Sequence, residues 1–484
     1  MRMTWSDALT ALRGVPLLSS SIPDEVTGMS TDNRQTKPGH IFFCIRGARF
    51  DGRDFAADAV KRGAVAIVAD LPFMLDGPRA PVVLVDNVTR ALGRLARVWR
   101  DRATAKVVGV TGTAGKTTVK EVLAQVLSRE GVTARNEMNL NNHLGLPRSI
   151  LSTNGDERFW VMEAGISREG DMDELGVILA PDLAIILNAG PGHTEGLGEN
   201  VARHKAALLQ WLRPSGLGLV SADYPDLVRE ARAFIRKGTC LELFTSRREG
   251  VNPEVPYSAS YLGPVADSGQ DACPVFGRYR VRLGYWEGEM AAPFRGSYGA
   301  ENVIAVCAAA YSLGLTPESI AAGLAEAKLP QQRFTCSRSG DWLIVDDSYN
   351  ANPLSAKRMI ESAAELASSP PRGIPGVLVC VMGEMLELGA CAEIEHRALG
   401  SWLAMSGARL VAWKGGHGEA VKRGLEQADF SGTFVMFDDP GALPDILRQY
   451  GLLGGVMLFK GSRGNRLEEC VARLEAGRET GNAV

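Results

Sequence analysis

The chain has 484 residues, 45% hydrophobic and 23% charged, with a net charge of −3, which suits about three globular domains. That near-neutral balance argues against a nucleic-acid binder, and no apolar run approaches the roughly 20 residues needed to span a bilayer. Eight cysteines are scattered without a Cys-x-x-Cys pair, which disfavours a zinc cluster or a disulfide framework and fits a reducing cytoplasm, as does an N-terminus with no signal-peptide core.

The first block, residues 1–102, mixes short strands at Ile41–Ile45, Val65–Ala69 and Val82–Val85 with helical stretches at Phe55–Arg62 and Val88–Arg100. The second, residues 103–330, opens with a β-branched run that stops at Gly112-Thr113-Ala114-Gly115-Lys116-Thr117-Thr118. An apolar stripe of helical period follows through Val119, Val122, Leu123, Val126 and Leu127. Strand, glycine turn, Lys-Thr and helix together predict a phosphate-binding loop. Its glycines let backbone N–H groups approach phosphates at a helix N-terminus, where Lys116 would reach the β/γ-phosphates and the Thr117 hydroxyl would ligate Mg²⁺. The spacing is a subtype, because Val110 stands where the usual motif has its first glycine.

Further strands at Phe159–Met162 and Leu183–Leu187, with helices between, predict a largely parallel sheet. Residues 245–295 read as turn-rich and polar, with antiparallel strands around Tyr279–Leu283, and a helix at Asn302–Leu313 closes the block. The third block, residues 331–484, alternates strands (Leu343–Val345, Val377–Met382, Leu410–Trp413, Thr433–Phe437, Val456–Phe459) with helices, a second open, Rossmann-like sheet. Asn352 is its first N-cap, with Pro353 at the first turn.

Polar groups cluster after these strands, where open α/β sheets place ligands. Glu163, ending one strand, is a Mg²⁺ ligand candidate; His193, in the loop after another, is a candidate for a second metal. On the helix around Asn200–Leu212, Lys205 shares the apolar face of Val201, Leu208, Leu209 and Leu212. A free cation there is costly to bury. Either its head snorkels to water or its charge is inverted, for example by CO₂ addition to give a carbamate. The segments Asp346–Pro353 and Lys460-Gly461-Ser462-Arg463-Gly464 end two strands of the third block in the same polar way.

These residues resemble the ATP-dependent Mur ligases of bacterial cell-wall synthesis along essentially the whole chain. The carriers are Thr31-Asp32-Asn33-Arg34, the phosphate loop, Asn139–Pro147, Glu163-Ala164-Gly165, Gly190–Gly196, Lys205, Asp346–Pro353, Gly383–Gly389 with His396, and Lys460–Arg463. The Asp-Asp-Ser-Tyr-Asn-Ala-Asn-Pro string resembles the branch that adds D-alanyl-D-alanine, and the Asp-Asn-Pro-Arg-type motif of the diaminopimelate- or lysine-adding branch is absent. The chain departs from the family pattern at Asn33, Tyr298-Gly299, Glu384 and Ala206-Ala207.

The resemblance implies a small α/β N-terminal domain for the UDP-substrate, a central ATP-binding domain and a C-terminal dipeptide-binding domain. It implies ATP-dependent ligation of D-alanyl-D-alanine to UDP-N-acetylmuramoyl-tripeptide through an acyl phosphate, with two Mg²⁺. Gly112 through Thr118 would hold the triphosphate, Thr117 and Glu163 the first metal, and His193 with carbamylated Lys205 the second. Asn302 would contact adenine, Arg333 the γ-phosphate and Asp347 the ribose. Thr31, Asp32, Asn33 and Arg34 would form the uridine-nucleotide site, Asn141 and Asn142 would border the growing peptide, and Tyr349, Asn350 and Asn352 would approach the dipeptide. A cytoplasmic monomer is expected. The alternatives are a Mur-like amide ligase with another acceptor, such as a folylpolyglutamate-type enzyme, and a phosphate-loop ATPase that hydrolyses ATP without an acceptor.

Overall fold

The computed structural model describes residues 1–17, 22–73, 75, 80–190, 194–198, 200–247, 254–265, 276–296 and 298–476. Short buried runs form the first sheet. Its parallel strands β1 (Gly28–Ser30), β2 (His40–Phe43), β3 (Ala66–Ala69) and β4 (Val82–Leu84) lie side by side in that order, and Val15–Pro16 pairs antiparallel outside β4. Helix α1 (Val88–Arg102) follows, its N-cap Asn87 accepting from the Arg90 N–H.

The central sheet has nine strands. They are β5 (Lys106–Thr111), β6 (Thr133–Arg135), β7 (Phe159–Glu163), β8 (Leu183–Ile186), β9 (Leu217–Ser221), β10 (Cys240–Thr245), β11 (Tyr257–Pro264), β12 (Gly277–Leu283) and β13 (Trp286–Ala292). Their spatial order is β6-β7-β5-β8-β9-β10-β11-β12-β13, parallel as far as β11 and antiparallel beyond. The helices that position the site are α2 (Lys116–Leu127), α3 (Gly145–Leu151), α4 (Val201–Ala206) and α5 (Gly299–Ser312).

Side chains of β7 alternate between two cores, Trp160 and Met162 on one face and Phe159 and Val161 on the other. Both faces of the parallel sheet are therefore covered. The first of these cores is shared: it runs without a break from Leu12, Val83 and Leu92 of the first block to Trp160, Met162 and Ile186. The second packs α2 and α5 against Val108, Val110 and Ile185.

The third sheet is built separately, with order β14 (Thr335–Ser339), β15 (Trp342–Asp346), β19 (Gly455–Lys460), β16 (Leu378–Gly383), β17 (Leu410–Lys414), β18 (Thr433–Met436). All its pairs are parallel except β14 with β15. It has its own cores, Val345, Cys380 and Leu458 on one face and Ile344, Val381 and Phe459 on the other. Helix α6 (Pro353–Ser368) begins with a reciprocal capping box between Asn352 and Ser355.

The structure differs from the sequence reading in two places. Residues 245–295 are richer in strand than the turn residues suggest: β11, β12 and β13 form two antiparallel ladders. Their core residues Tyr279, Val281 and Leu283 alternate with arginines 278, 280 and 282, so the segment scores as polar while burying one face. The Asn200–Leu212 stretch is not one helix: α4 tightens into a 3₁₀ turn over Ala207–Trp211. Among the described residues no helix is long and apolar enough to cross a membrane, and every cysteine is unbridged.

Candidate active site

The glycine turn leaves β5 with Gly112 at φ +158° and enters α2 through Gly115 at φ +83°. Gly115 is the N-cap of α2, and a Cβ there would lie 2.6 Å from Asn302 Oδ1. Both the left-handed backbone and the lack of room require glycine. Asn188, fully buried after β8, holds the turn from behind. Its Oδ1 accepts from Thr113 N at 2.9 Å and Ala114 N at 2.8 Å, and its Nδ2 donates to Ala114 O at 3.1 Å. The Thr113 hydroxyl bonds Gly190. The first-turn N–H groups of α2 have no helical acceptor and form the electropositive end of the helix. Thr118 lies in that turn. Asn302 sits against the turn at Gly115, its buried Oδ1 without a hydrogen-bond partner among the described residues.

Beside the turn, Thr117 Oγ1 donates to Glu163 Oε2 at 2.8 Å. Asn141 Nδ2 donates to the other carboxylate oxygen at 2.7 Å. The end of β7 is fixed by Asn136, whose Oδ1 accepts from Glu163 N at 2.9 Å and whose Nδ2 donates to Glu163 O at 3.1 Å. Lys120, wholly buried on α2, donates to Asn136 O at 2.5 Å and pairs with Glu121 at 2.9 Å. The Thr117 and Asn141 side chains therefore converge on one carboxylate, and Asn136 fixes the backbone that carries it.

Lys205 is 2% exposed, and its Nζ donates to Gly112 O at 3.1 Å. It does not snorkel. Burial first, and then the positive charge of Lys116, push its ammonium well below the usual lysine range, while Glu163 opposes the shift. Lys116 is lowered as well, by burial foremost, with Glu163 raising it and Arg333 lowering it. Arg333 crosses from the start of the third block, its Nη2 donating to Thr117 Oγ1 at 3.4 Å. Three basic side chains thus surround the turn around one carboxylate. His193 lies outside the described residues.

The loop after β15 brings the third block onto this site. Asn352 Nδ2 donates to Thr113 O at 3.2 Å, besides capping α6. The Tyr349 ring lies under the Arg333 guanidinium, 4.2 Å from ring centre to Cζ, with Arg463 at 5.7 Å. Asn350 is exposed; its carbonyl accepts from Lys460 Nζ at 2.8 Å. Asp347 is buried and each of its oxygens accepts one bond: Oδ2 from Lys460 Nζ at 2.5 Å and Oδ1 from Phe334 N at 3.0 Å. Lys460→Met leaves that carboxylate buried and unpaired. It should cost about 3–5 kcal/mol, read as a lower denaturation midpoint for the third block.

In the first block, Thr31, Asp32, Asn33 and Arg34 follow β1 at the carboxyl end of its sheet. Asp32 caps a 3₁₀ turn and pairs with Arg34 at 2.8 Å, which holds its carboxyl below the usual range. Asn33 Nδ2 donates to Asp58 at 2.7 Å. Asn142 Oδ1 accepts from Leu144 N and Gly145 N at the start of α3. The sequence reading missed Asn136, Lys120, Glu301 and Arg358, and Asn188 passed as one letter of a loop.

The chain was compared with known families and structures. Models of the Mur ligase family match residues 25–100 (catalytic domain), 110–310 (middle domain) and 332–463 (glutamate ligase domain). The UDP-N-acetylmuramoyl-tripeptide–D-alanyl-D-alanine ligase of Escherichia coli K12 is 30% identical over 454 residues, covering 92% of this chain and 93% of its own. That of Bacillus subtilis 168 is 29% identical over 452 residues, with 93% of each covered. A crystal structure of MurF from Acinetobacter baumannii superposes with TM-score 0.83 at 27% identity, covering 98% of this chain and 99% of that one. The MurF ligase of Thermotoga maritima in complex with ADP gives 0.76 at 26%, covering 94% and 98%. The similarity extends over nearly the full length, and the chain belongs to the Mur ligase family.

Proposed function

We propose that this ATP-dependent ligase joins D-alanyl-D-alanine to UDP-N-acetylmuramoyl-tripeptide in peptidoglycan precursor synthesis, working as a monomer in the cytoplasm. The observation that carries the reading is the convergence of Lys116, Lys205 and Arg333, from three separate elements, on the glycine turn at Thr117 and Glu163. A carboxylate must attack a triphosphate, and two anions approach only where fixed positive groups receive their charge. Lys116 and the first-turn amides of α2 would hold the β/γ-phosphates, and Arg333 the transferred phosphoryl group. The tripeptide's terminal carboxylate oxygen bonds to the γ-phosphorus as the bond to ADP breaks. The neutral amine of the dipeptide then attacks the acyl carbon, loses its proton, and phosphate leaves.

The donor set fits Mg²⁺. A hydroxyl and a carboxylate oxygen meet at 2.8 Å beside the turn, and a hard cation takes one or two carboxylates plus substrate phosphates. Bound there by Thr117 and Glu163, the ion would neutralise charge on the phosphoryl oxygens. Asn141 orients that carboxylate. Asn141→Ala should raise the Mg²⁺ concentration for half-maximal activity by about tenfold, read from a Mg²⁺ titration of phosphate release. Lys205, buried and with its ammonium disfavoured by that burial, has the chemistry to take up CO₂; its carbamate, with His193, would serve a second ion. Asp347 keeps free lone pairs for a ribose hydroxyl, and Tyr349, Asn350 and Asn352 line the approach of the dipeptide. Thr31, Asp32, Asn33 and Arg34 would receive the uridine nucleotide.

The test is phosphate release with a panel of UDP-muramoyl peptides, with and without D-alanyl-D-alanine, and mass spectrometry of the product. Release should require both substrates. Release indifferent to both would favour a plain ATPase.

A further inference from the structure

One polar stripe of α6 rests on the central block. Asn352 reaches Thr113 O, Glu365 accepts from Tyr261 at 2.8 Å, and between them Arg358 donates to Glu301 and, at 2.8 Å, to the Tyr224 hydroxyl. The Arg358–Glu301 pair is unlike the others in its burial, with Glu301 1% exposed and Arg358 14%. Glu301 belongs to α5, inside the central block, and it has a second partner. Its Oε1 accepts from Asn188 Nδ2 at 3.2 Å. Asn188 is the residue whose carbonyl oxygen holds the Thr113 and Ala114 amides. A continuous line therefore joins the third block to the back of the phosphate loop: Arg358, Glu301, Asn188, then two loop amides.

Each link is directional. The Asn188 amide offers its oxygen to the two loop N–H groups while its nitrogen is taken up by Ala114 O and, from outside the loop, by Glu301 Oε1. Burial pushes the Glu301 carboxyl upward, and Arg358 pulls it back. With α6 withdrawn, a buried carboxylate would stand without its cation and favour the protonated form. A protonated carboxyl seeks an acceptor. Its O–H would compete with the Thr113 and Ala114 amides for the Asn188 oxygen and draw that oxygen off the loop.

We propose that Glu301 and Arg358 are positioning residues: closing the third block seats Arg358 on Glu301, and that contact, through Asn188, sets the phosphate loop in its nucleotide-gripping form. The inference rests on the reading of Gly112–Thr118 as the nucleotide site.

The test uses the full chain and the non-hydrolysable analogue AMP-PNP with Mg²⁺. Arg358→Met should weaken AMP-PNP binding about tenfold by calorimetry, within the usual range of coupling between sites. It should raise the KM for ATP to match, leave the KM for the UDP-peptide unchanged, and give a larger radius of gyration in solution scattering. Arg358→Lys should restore most of the affinity. The double variant Glu301→Gln with Arg358→Met leaves no charge orphaned, and its glutamine oxygen still accepts from Asn188. It should regain near wild-type nucleotide affinity while staying expanded. A fall in melting temperature alone, with affinity and radius unchanged in Arg358→Met, would reduce the pair to a structural contact and overturn the proposal. Equal loss of affinity in the single and double variants would also overturn it, because the Asn188 link would then be irrelevant. Wild-type protein that fails to bind AMP-PNP would overturn the nucleotide-site reading itself, and this inference with it.

Discussion

Replacing Lys116 with alanine should abolish acyl-phosphate formation and leave the chain folded. The side chain is poorly placed to support the fold: among the described residues its one hydrogen bond is to Thr113 O at 3.3 Å, and its ammonium is disfavoured by burial. Removing it takes away a cost in the empty protein and a benefit in the charged transition state. Losing one pre-aligned positive group at a developing phosphoryl charge lowers kcat by about 10³-fold. Trapping of the acyl phosphate with hydroxylamine should fall in step, while circular dichroism and melting temperature stay near wild type. Turnover at the normal rate would refute the assigned role.

Lys205 gives the second large effect. Lys205→Arg imposes a permanent cation and removes the capacity to form a carbamate; Lys205→Ala removes the amine and leaves space beside Gly112. Each should lower kcat by about 10²-fold. The two should separate on adding acetate, whose carboxylate can enter the alanine cavity and stand in for the lost anion, restoring part of the activity there and none in the arginine variant. Wild-type protein equilibrated with ¹³C-bicarbonate should show a carbamate carbon resonance that Lys205→Ala lacks. Full activity in Lys205→Arg would rule out the carbamate.

Lys205 was legible because helical periodicity is a local property: offsets from Val201 and Leu209 place it on the buried face without any knowledge of what lies opposite. Lys120 obeys the same rule, at offsets of three and seven from Leu123 and Leu127, and is equally buried. It passed unread because the phosphate loop next to it drew the whole interpretation. The strands of the third block announced themselves as β-branched runs between turn residues. The β12 ladder did not, because its arginines mask the buried alternation. Asn188, Glu301 and Arg358 were beyond reach for a different reason. None is unusual in its own neighbourhood, and they meet across 113 and 57 residues of chain. Such partners are visible only after the sheets have been put together. The resemblance to a family supplied roles for Arg333 and Asp347 that spacing alone would not.

Arg333 is flanked by Gln332 and Phe334, both in the left-handed region at φ +57°. Side chains other than glycine adopt that backbone at some cost, and two such residues around one arginine mark a chain bent against its preference. The bend lies where the central block ends and the third begins, the segment that must flex if the third block swings. The arginine proposed to face the phosphates is therefore carried by that bend itself. Were the third block to swing open, the same rotation would withdraw that charge from a bound nucleotide. Such an open molecule would hold ATP without the group that promotes its cleavage, so bulk water would meet the triphosphate only in the form least able to hydrolyse it.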